Sequence, residues 1–189
     1  LRQGIVQHLG QPTMKIFIVT GMPGSGKEEL LTVARDMNIP FLRMGDIVRE
    51  QYAKYHSEKG LTIGEFADKA RKKKGKDIWA KMAMEKMAGN IFLVDGCRSM
   101  EEVDAFRTLS EDVYIIAIHS SPDTRYGRLV SRGREDAPRE WVEFADRDTR
   151  EISWGQAEVI ALADIMFINE STLEDFHSDV QKALEEIRV

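Results

Sequence analysis

Cysteine is almost absent from this sequence, and neither a long apolar run nor a large excess of one charge occurs in it. The single cysteine, Cys97, excludes a disulfide within the chain and a zinc site built from four cysteines. No apolar run approaches the ~18–20 residues that a helix needs to cross a bilayer. The 27 basic side chains are outnumbered by 32 acidic ones, and this net charge of −5 argues against a general nucleic-acid-binding protein. These absences favour a globular protein of the reducing cytoplasm.

The length of 189 residues suits one domain with one core. Residues 1–13 lack the apolar centre of a secretory signal, and Met14 directly precedes the first strand-like run. We therefore interpret residues 1–13 as a tag or an N-terminal extension, and residues 14–189 as a single domain.

Short apolar runs alternate along the chain with stretches that carry helix signals. Five runs are predicted strands: Lys15–Thr20, Phe41–Arg43, Ile91–Asp95, Val113–His119 and 165–169. Four of them are nearly unbroken, as in strands buried on both faces of a parallel sheet. Three capping-box patterns predict helix starts: Thr62-x-x-Glu65, Ser99-x-x-Glu102 and Ser171-x-x-Glu174. The alternation predicts an α/β protein with three α/β/α layers and a five-stranded parallel sheet. Segments 44–90 and 120–164 exceed one crossover helix, so each is predicted to contain a helical insertion.

A glycine-rich stretch follows the first predicted strand and leads directly into a helical segment. Its residues are Gly21, Met22, Pro23, Gly24, Ser25, Gly26 and Lys27. The glycines permit a tight turn with inward-pointing amides, and the next helix adds free N–H groups and the positive end of its dipole. The lysine can contact the β- and γ-phosphates. The stretch predicts a phosphate loop (P-loop) that binds ATP.

The residue after Lys27 departs from the usual P-loop pattern. A Ser or Thr at this place would ligate Mg²⁺, whereas this chain has Glu28. A carboxylate in the first helical turn suits the helix dipole, but it also brings negative charge towards a triphosphate. Two interpretations stay open: Glu28 holds Mg²⁺ directly or through water, or it points to solvent.

Two further elements follow the P-loop in the chain. The stretch GDIVR occupies 45–49, and DGCR at 95–98 closes the third predicted strand. An acid at the carboxyl end of a buried strand beside a P-loop can hold Mg²⁺ through water, and this predicts Asp95 as a metal residue. With the P-loop, these elements make the sequence similar to nucleoside-monophosphate-kinase-like proteins related to adenylate kinase and dephospho-CoA kinase. Within that group it most resembles a largely archaeal family of adenylate-kinase-related proteins. The resemblance implies a P-loop NTPase fold in which Asp46, Arg49 and Arg98 bind the phosphate acceptor.

Arginine takes the place of lysine in the later part of the chain. Seven arginines lie between 125 and 150, and no lysine occurs between 86 and 182. The forked guanidinium fits phosphate oxygens, and phosphoryl transfer spreads charge over such oxygens. The stretch RLVSR at 128–132 resembles the start of the adenylate-kinase lid, which implies that Arg128 lies against the adenine and that Arg132 reaches the phosphates. Arg147 and Arg150, one helical turn apart, are predicted to assist the transfer after the lid.

The remaining polar features are assigned as follows. Six acids share the arginine-rich region, and we assign Arg125 and Arg139 to a salt-bridged solvent face. Asn169 ends the last predicted strand, where the resembling kinases place backbone against the adenine. The basic run at 71–76 begins with Arg71 and ends with Lys76; cations favour a helix C-terminus in any case, so RNA contact is only the weaker interpretation.

The sequence therefore predicts a cytoplasmic ATP-binding phosphotransferase. It would use Mg²⁺ and move the γ-phosphate of ATP to a small nucleotide-like acceptor, with segment 44–90 binding the acceptor and segment 120–164 forming the lid. An alternative is a nucleotide-switched assembly ATPase or an RNA- or protein-binding NTPase, which the missing Ser/Thr and the basic run suggest. A third interpretation is a nucleotide sensor that binds ATP without turnover. The oligomeric state stays open.

Overall fold

Five parallel strands form one sheet in a computed structural model of the chain, which describes residues 14–55, 60–133 and 137–187. The strands are β1 (Lys15–Thr20), β2 (Phe41–Arg43), β3 (Ile91–Asp95), β4 (Val113–His119) and β5 (Ile165–Ile168), in the order β2-β3-β1-β4-β5. The predicted sheet is confirmed, with β5 one residue shorter than expected. The extension proposed at 1–13 lies outside the described residues. The central strand β1 pairs with β3 and β4, so the P-loop leaves the sheet from its middle.

Helices cover both faces of this sheet, which confirms the predicted three layers. They are α1 (Lys27–Asp36), α2 (Met44–Lys54), α3 (Ile63–Lys74), α4 (Ile78–Met84), α5 (Met100–Arg107), α6 (Pro122–Ser131), α7 (Trp141–Ser153), α8 (Gln156–Ala161) and α9 (Leu173–Ile187). Helices α1 and α9 pack on one face, against Val19 and Ile116, while α2 to α5 and α8 pack on the other, against Ile18 and Ile115. Because both faces are covered, the strands are apolar along their length. No helix within the described ranges is long and apolar enough to span a membrane.

Both long inter-strand segments hold helices. Segment 44–90 contains α2, α3 and α4, whereas segment 120–164 contains α6, α7 and α8. Helix α6 carries the buried Arg125 and α7 carries the buried Phe144, whose ring centroid lies 4.9 Å from the centre of the Arg125 guanidinium. This contact holds α6 and α7 together above the carboxyl edge of the sheet.

The three predicted helix starts differ in outcome. The capping box at Thr62 is confirmed: Glu65 N donates to Thr62 Oγ1 at 3.2 Å, and Thr62 N donates to the Glu65 carboxylate at 2.7 Å. Ser99 also caps its helix, but the Glu102 carboxylate accepts instead from Arg98 N at 2.7 Å. The box predicted at Ser171 and Glu174 is wrong.

Helix α9 begins one residue later than that box requires. Its first turn is capped at Thr172, whose Oγ1 accepts from Asp175 N at 3.2 Å. Phe176, Val180 and Leu184 are spaced four residues apart, so they share the face of α9 that packs on the sheet, and all three are buried.

Candidate functional site

The carboxyl edge of the sheet gathers one polar feature from each strand. The P-loop follows β1, and β2 and β3 end at Arg43 and Asp95. Ser120 and Asn169 come directly after β4 and β5. Parallel strands end at the same edge, where open α/β sheets bind ligands. All five strands therefore contribute to one region.

The P-loop joins β1 to α1 through residues with left-handed backbone. Gly24 and Gly26 have φ of 83° and 112°, values that side chains disfavour. A Cβ on Gly24 would lie 2.7 Å from the carbonyl oxygen of Arg125, so close packing also requires glycine. At the loop's end, the first amides of α1 have no acceptor within their helix and are suited to an anion.

Lys27 turns back over the loop. Its ammonium donates to the carbonyl oxygen of Gly21 and, at 3.3 Å, to that of Met22. Burial lowers the pKa of Lys27, and the nearby carboxylates of Asp95 and Glu151 oppose that shift. The ammonium therefore lies beside the loop, where it can meet a phosphate.

Four side chains from distant parts of the chain hold the loop carbonyls. Asn169 Nδ2 donates to Ser25 O at 2.9 Å, and Ser120 Oγ donates to the same oxygen at 3.2 Å. Gln156 Nε2 donates to Gly21 O at 2.9 Å, and Arg125 Nη1 donates to Pro23 O at 3.2 Å. Because its carbonyls are fixed from outside, the loop keeps one shape.

Beside the loop lies a cavity of about 210 Å³ with a marked positive lining. Its cationic lining residues are Lys27, Arg43, Arg49, Arg98, Arg132 and Arg147, against the carboxylates of Glu28, Asp95 and Glu151. The lining thus carries three more positive than negative charges, although the whole chain is acidic. Such a surface attracts a polyanion.

Asp95 is positioned by the end of β3. Its Oδ1 is buried and has no hydrogen-bond partner within the described part of the chain. Burial raises the pKa of Asp95, while Lys27 and Arg98 act in the opposite direction. A buried carboxylate oxygen without a partner next to a phosphate loop fits a Mg²⁺ ion, which prefers oxygen ligands and keeps several waters.

Glu28 does not simply point to solvent. Its Oε2 accepts from Arg43 Nη2 at 2.8 Å, and both side chains are about a quarter to a third exposed in the cavity wall. This pair links the first turn of α1 to the end of β2.

Arg98 is held by two acids from different helices. Its Nε donates to Glu151 of α7 at 2.5 Å, and its backbone amide donates to Glu102 of α5. Burial disfavours the charge of Arg98, but Glu151 raises the pKa of this guanidinium overall. Glu102 also accepts from the buried Arg71 at 3.3 Å, which extends the network to α3.

The ring of Trp154 lies against three guanidinium groups. The distances from its centroid are 4.9 Å to Arg71, 5.5 Å to Arg98 and 5.9 Å to Arg150. Arg150 is thus placed against this ring and is not among the residues that line the cavity.

The other predicted acceptor and lid residues divide between two places. Arg49 lines the cavity and is paired with Asp46, which does not line it. Arg128 and Asn169 line a second, adjacent cavity of about 190 Å³ that shares Gly26 and Arg132 with the first. Arg128 donates to Ser120 Oγ at 2.9 Å and to Asn169 O at 3.1 Å, which ties it to the P-loop.

The assignment of Arg125 to a solvent face is wrong. Arg125 is 4% exposed and forms a two-bond ion pair with Asp148, at 2.9 and 2.6 Å. The Phe144 ring covers its guanidinium, which also donates hydrogen bonds to Pro23 O and Ser120 O.

Five polar residues of the site were not predicted: Arg43, Ser120, Arg125, Glu151 and Gln156. Arg43 and Ser120 carried a signal, because one ends a predicted strand and the other directly follows one. The basic run at 71–76 starts inside the protein, since Arg71 is 6% exposed, and Lys76 is paired with Glu101 at 2.8 Å.

Comparison with known proteins gives family members over nearly the whole chain. Residues 20–145 match the model of a family described as an AAA domain. A UPF0200 protein of Thermoplasma acidophilum is 44% identical over 174 residues, which cover 90% of this chain and 96% of that protein. A UPF0200 protein of Thermococcus onnurineus is 38% identical over 182 residues, covering 91% and 97%.

Solved structures with similar folds include two kinases. A shikimate kinase from Bacteroides thetaiotaomicron has a TM-score of 0.63 at 20% identity, covering 91% of this chain and 99% of that one. A gluconokinase from Sinorhizobium meliloti has a TM-score of 0.57 at 15% identity, covering 94% and 95%. At these identities the likeness shows the fold, which is that of P-loop kinases. The chain therefore belongs to the UPF0200 family and contains, at residues 20–145, an AAA domain with a P-loop kinase-like fold.

Proposed function

We propose that this protein is an ATP-dependent phosphotransferase that moves the γ-phosphate of Mg²⁺–ATP to a small phosphate-bearing acceptor of the nucleotide type. The supporting observation is the cavity that joins the P-loop and Lys27 to arginines of the segment after β2, the end of β3 and α7. Arg49 and Arg98 add positive charge to that of Lys27, which suits a second anionic group in the same cavity. The cytoplasm suits a chain whose one cysteine is a free, buried thiol.

The donor side of the cavity is formed by the P-loop and the residues after it. The backbone N–H groups of the loop and of the start of α1 are assigned to the phosphates, except at Pro23, which has none, and at Ser25, whose N–H donates to Met22 O. Lys27 supplies a point charge there. Asp95 would hold the Mg²⁺ ion, which when bound neutralises charge on the transferring phosphate. The second cavity, between Arg128 and Asn169, is assigned to the adenine.

The acceptor side is assigned to Arg49 and Arg98. Both guanidinium groups lie in the same cavity wall as the loop, and Arg98 is fixed by Glu151 before any ligand binds. The i,i+3 carboxylate of Asp46 orients Arg49. When one edge of a guanidinium is already paired with a carboxylate, its other N–H groups are held in position to donate hydrogen bonds to a phosphate.

Arg132 and Arg147 are assigned to the transferring group. Phosphoryl transfer requires little covalent chemistry from the protein, so catalysis would come from positioning and charge. Arg150 would act indirectly, through Trp154 and Arg98.

A coupled assay of ADP formation tests this proposal. Purified protein is mixed with Mg²⁺–ATP and a panel of nucleoside monophosphates and dephospho-CoA. Shikimate and gluconate are added because two proteins of similar fold are named for them. Acceptor-dependent ADP formation, with a phosphorylated product seen by ³¹P NMR, is expected. ADP formation that no acceptor stimulates would overturn the transferase assignment.

The same assay separates the alternatives. A nucleotide-switched ATPase, to which the unusual Glu28 points, would hydrolyse ATP slowly and respond to RNA or a protein partner. A nucleotide sensor would bind ATP and form no ADP at all, even after Glu28→Ser. Within the described residues, the burial of Arg71 and the pairing of Lys76 interrupt the basic run on which the RNA interpretation rested.

A further inference from the structure

Glu28 and Arg43 form an ion pair inside the wall of the proposed donor site. The Glu28 carboxylate stands where a P-loop usually has a hydroxyl, and Arg43 ends β2. The guanidinium of Arg43 lies 5.7 Å from the centroid of the Phe41 ring. Its Nε is buried and has no partner within the described residues. Arg43 is therefore held mainly by Glu28, through one hydrogen bond.

Asp95 lies close to this pair. Arg43 and Asp95 are register partners in the parallel ladder between β2 and β3. The Glu28 carboxylate raises the pKa of Asp95 and the Arg43 guanidinium lowers it, both in addition to the larger effect of burial. Two carboxylates and one guanidinium thus face one cavity, and the guanidinium is hydrogen-bonded to only one of the carboxylates.

We propose that Glu28 and Asp95 together form a divalent-cation site, and that the ion pair between Arg43 and Glu28 persists only until the cation binds. The proposal rests on the proposed function in taking the cation to be the Mg²⁺ of the nucleotide. A carboxylate is longer than a serine hydroxyl and can reach a cation through a water, which Mg²⁺ retains readily. It also adds a negative charge, so the cation replaces the guanidinium as the neutralising partner of Glu28.

The exchange has a consequence for Arg43. When Glu28 turns to the cation, the Nη2 of Arg43 loses its protein acceptor, and its buried Nε already has none within the described residues. The guanidinium then becomes available in the same cavity as Arg49 and Arg98, where the proposed anionic acceptor would bind. Cation and acceptor binding would therefore be coupled through a single side-chain exchange.

A structural salt bridge is the competing explanation, and the two make opposite predictions. If Glu28 only ties α1 to β2, its loss leaves cation affinity unchanged, and Arg43 acts on the site only through its charge near Asp95, with or without Glu28. If Arg43 competes with the cation for Glu28, removal of Glu28 weakens cation binding, and removal of Arg43 strengthens it mainly when Glu28 is present. The dependence of the Arg43 effect on Glu28 decides between the two explanations.

The experiment measures Mn²⁺ binding to the full chain in the presence of ADP, by the electron paramagnetic resonance signal of free Mn²⁺. Glu28→Gln is expected to weaken Mn²⁺ binding by about tenfold or more. Arg43→Met is expected to tighten Mn²⁺ binding by roughly two- to fivefold, because the free energy of a partly exposed ion pair corresponds to about that factor. In the Glu28→Gln background, Arg43→Met is expected to have a clearly smaller effect, because only the charge of Arg43 near Asp95 is then removed.

Glu101→Gln is the control. Glu101 is also a partly exposed carboxylate in an ion pair, with Lys76 at 2.8 Å, but it lines neither cavity, and its loss is expected to leave Mn²⁺ affinity unchanged. ADP affinity in EDTA and the melting temperature verify that each variant folds and binds nucleotide. Wild-type Mn²⁺ affinity in Glu28→Gln, or weaker binding in Arg43→Met, would overturn the proposal. Mn²⁺ and ADP binding require no phosphoryl transfer, so a failure of the kinase assay leaves this result independent.

Discussion

Replacing Arg125 with methionine tests whether the P-loop is held in shape from outside. The side chain is 5% exposed, and its donors serve Asp148, Ser120 O and Pro23 O. Methionine has a similar length and fills much of the space against Phe144, but it donates nothing. The substitution therefore leaves Asp148, whose side chain is only 16% exposed, without its partner.

The expected loss follows from that unpaired carboxylate. Breaking a buried ion pair from one side costs about 3–5 kcal/mol, and the partial exposure of Asp148 places the expected value near the lower end. For a domain of this size, about 3 kcal/mol corresponds to a fall in melting temperature of roughly 6–12 °C. The double variant Arg125→Met/Asp148→Leu removes both charges and is expected to recover about 1 kcal/mol of this loss. The rest, about 1 kcal/mol for each lost hydrogen bond to the carbonyls of Ser120 and Pro23, remains.

Urea unfolding followed by circular dichroism measures these differences, with calorimetry of ADP binding as the second readout. Both Arg125 variants are expected to bind ADP more weakly, because the Pro23 carbonyl is no longer fixed. The control is Arg107→Met, which removes an exposed pair with Asp104 and is expected to change the free energy of unfolding by under about 1 kcal/mol. If Arg125→Met is no more destabilising than this control, or if ADP affinity is unaffected, the loop is not held by Arg125.

Three further substitutions address single atoms of the site. Lys27→Met is expected to reduce acceptor-dependent ADP formation by about 10²-fold or more, as measured by initial rates. The melting temperature should not fall, because burial already disfavours the charge of Lys27 and lowers its pKa; melting curves check this. Burial raises the pKa of Asp95, so the folded protein holds the carboxyl proton more tightly than the unfolded chain does. Stability is therefore lost as the pH rises through the pKa of the folded state. Asp95→Asn should reduce this loss of stability with pH, as measured by melting curves between about pH 4 and pH 8. Gln156→Leu removes a donor to Gly21 O together with a buried Oε1 that has no partner within the described residues. The free energy of unfolding should change by under about 1 kcal/mol, while ADP affinity, measured by calorimetry, falls.

The local features of the fold were predictable because each depends on neighbouring residues. An unbroken apolar run such as 113–119 can be buried only between two helical layers, and the strand predicted there has the observed bounds. The P-loop is also local, since its glycines, Lys27 and the start of α1 are contiguous. Asp95 was indicated by its place at the end of a strand, and the structure brings it to the cavity that Lys27 lines.

The supports of the loop were not predictable, because their partners are distant in sequence. Gln156 bonds a carbonyl 135 residues earlier, and Arg125 bonds one 102 residues earlier. In a segment with nearly equal numbers of arginines and acids, composition does not reveal which pair is buried. Arg125 is selected by tertiary packing, since the Phe144 ring covers it on α7.

Arg150 and Asp46 show the limit of a resemblance. The spacing of Arg147 and Arg150 places both on one helix, but only Arg147 lines the cavity, because the guanidinium of Arg150 lies against Trp154. Asp46 forms an ion pair with its i,i+3 neighbour Arg49 at the helix surface. A motif indicates which residues share an element, whereas the packing of neighbouring elements decides which side chains reach a ligand.

The supports of the P-loop also set the order in which the site can form during synthesis. The loop leaves the ribosome early, but β1 is the central strand and needs both β3 and β4 as partners. The carbonyls of Gly21 and Ser25 gain their full set of donors only after Gln156 and Asn169 have been made. A nascent chain that has not reached Asn169 contains the whole glycine-rich motif but lacks these two supports. Nucleotide is therefore expected to stabilise preferentially those chains in which the segment through Asn169 has packed against the loop.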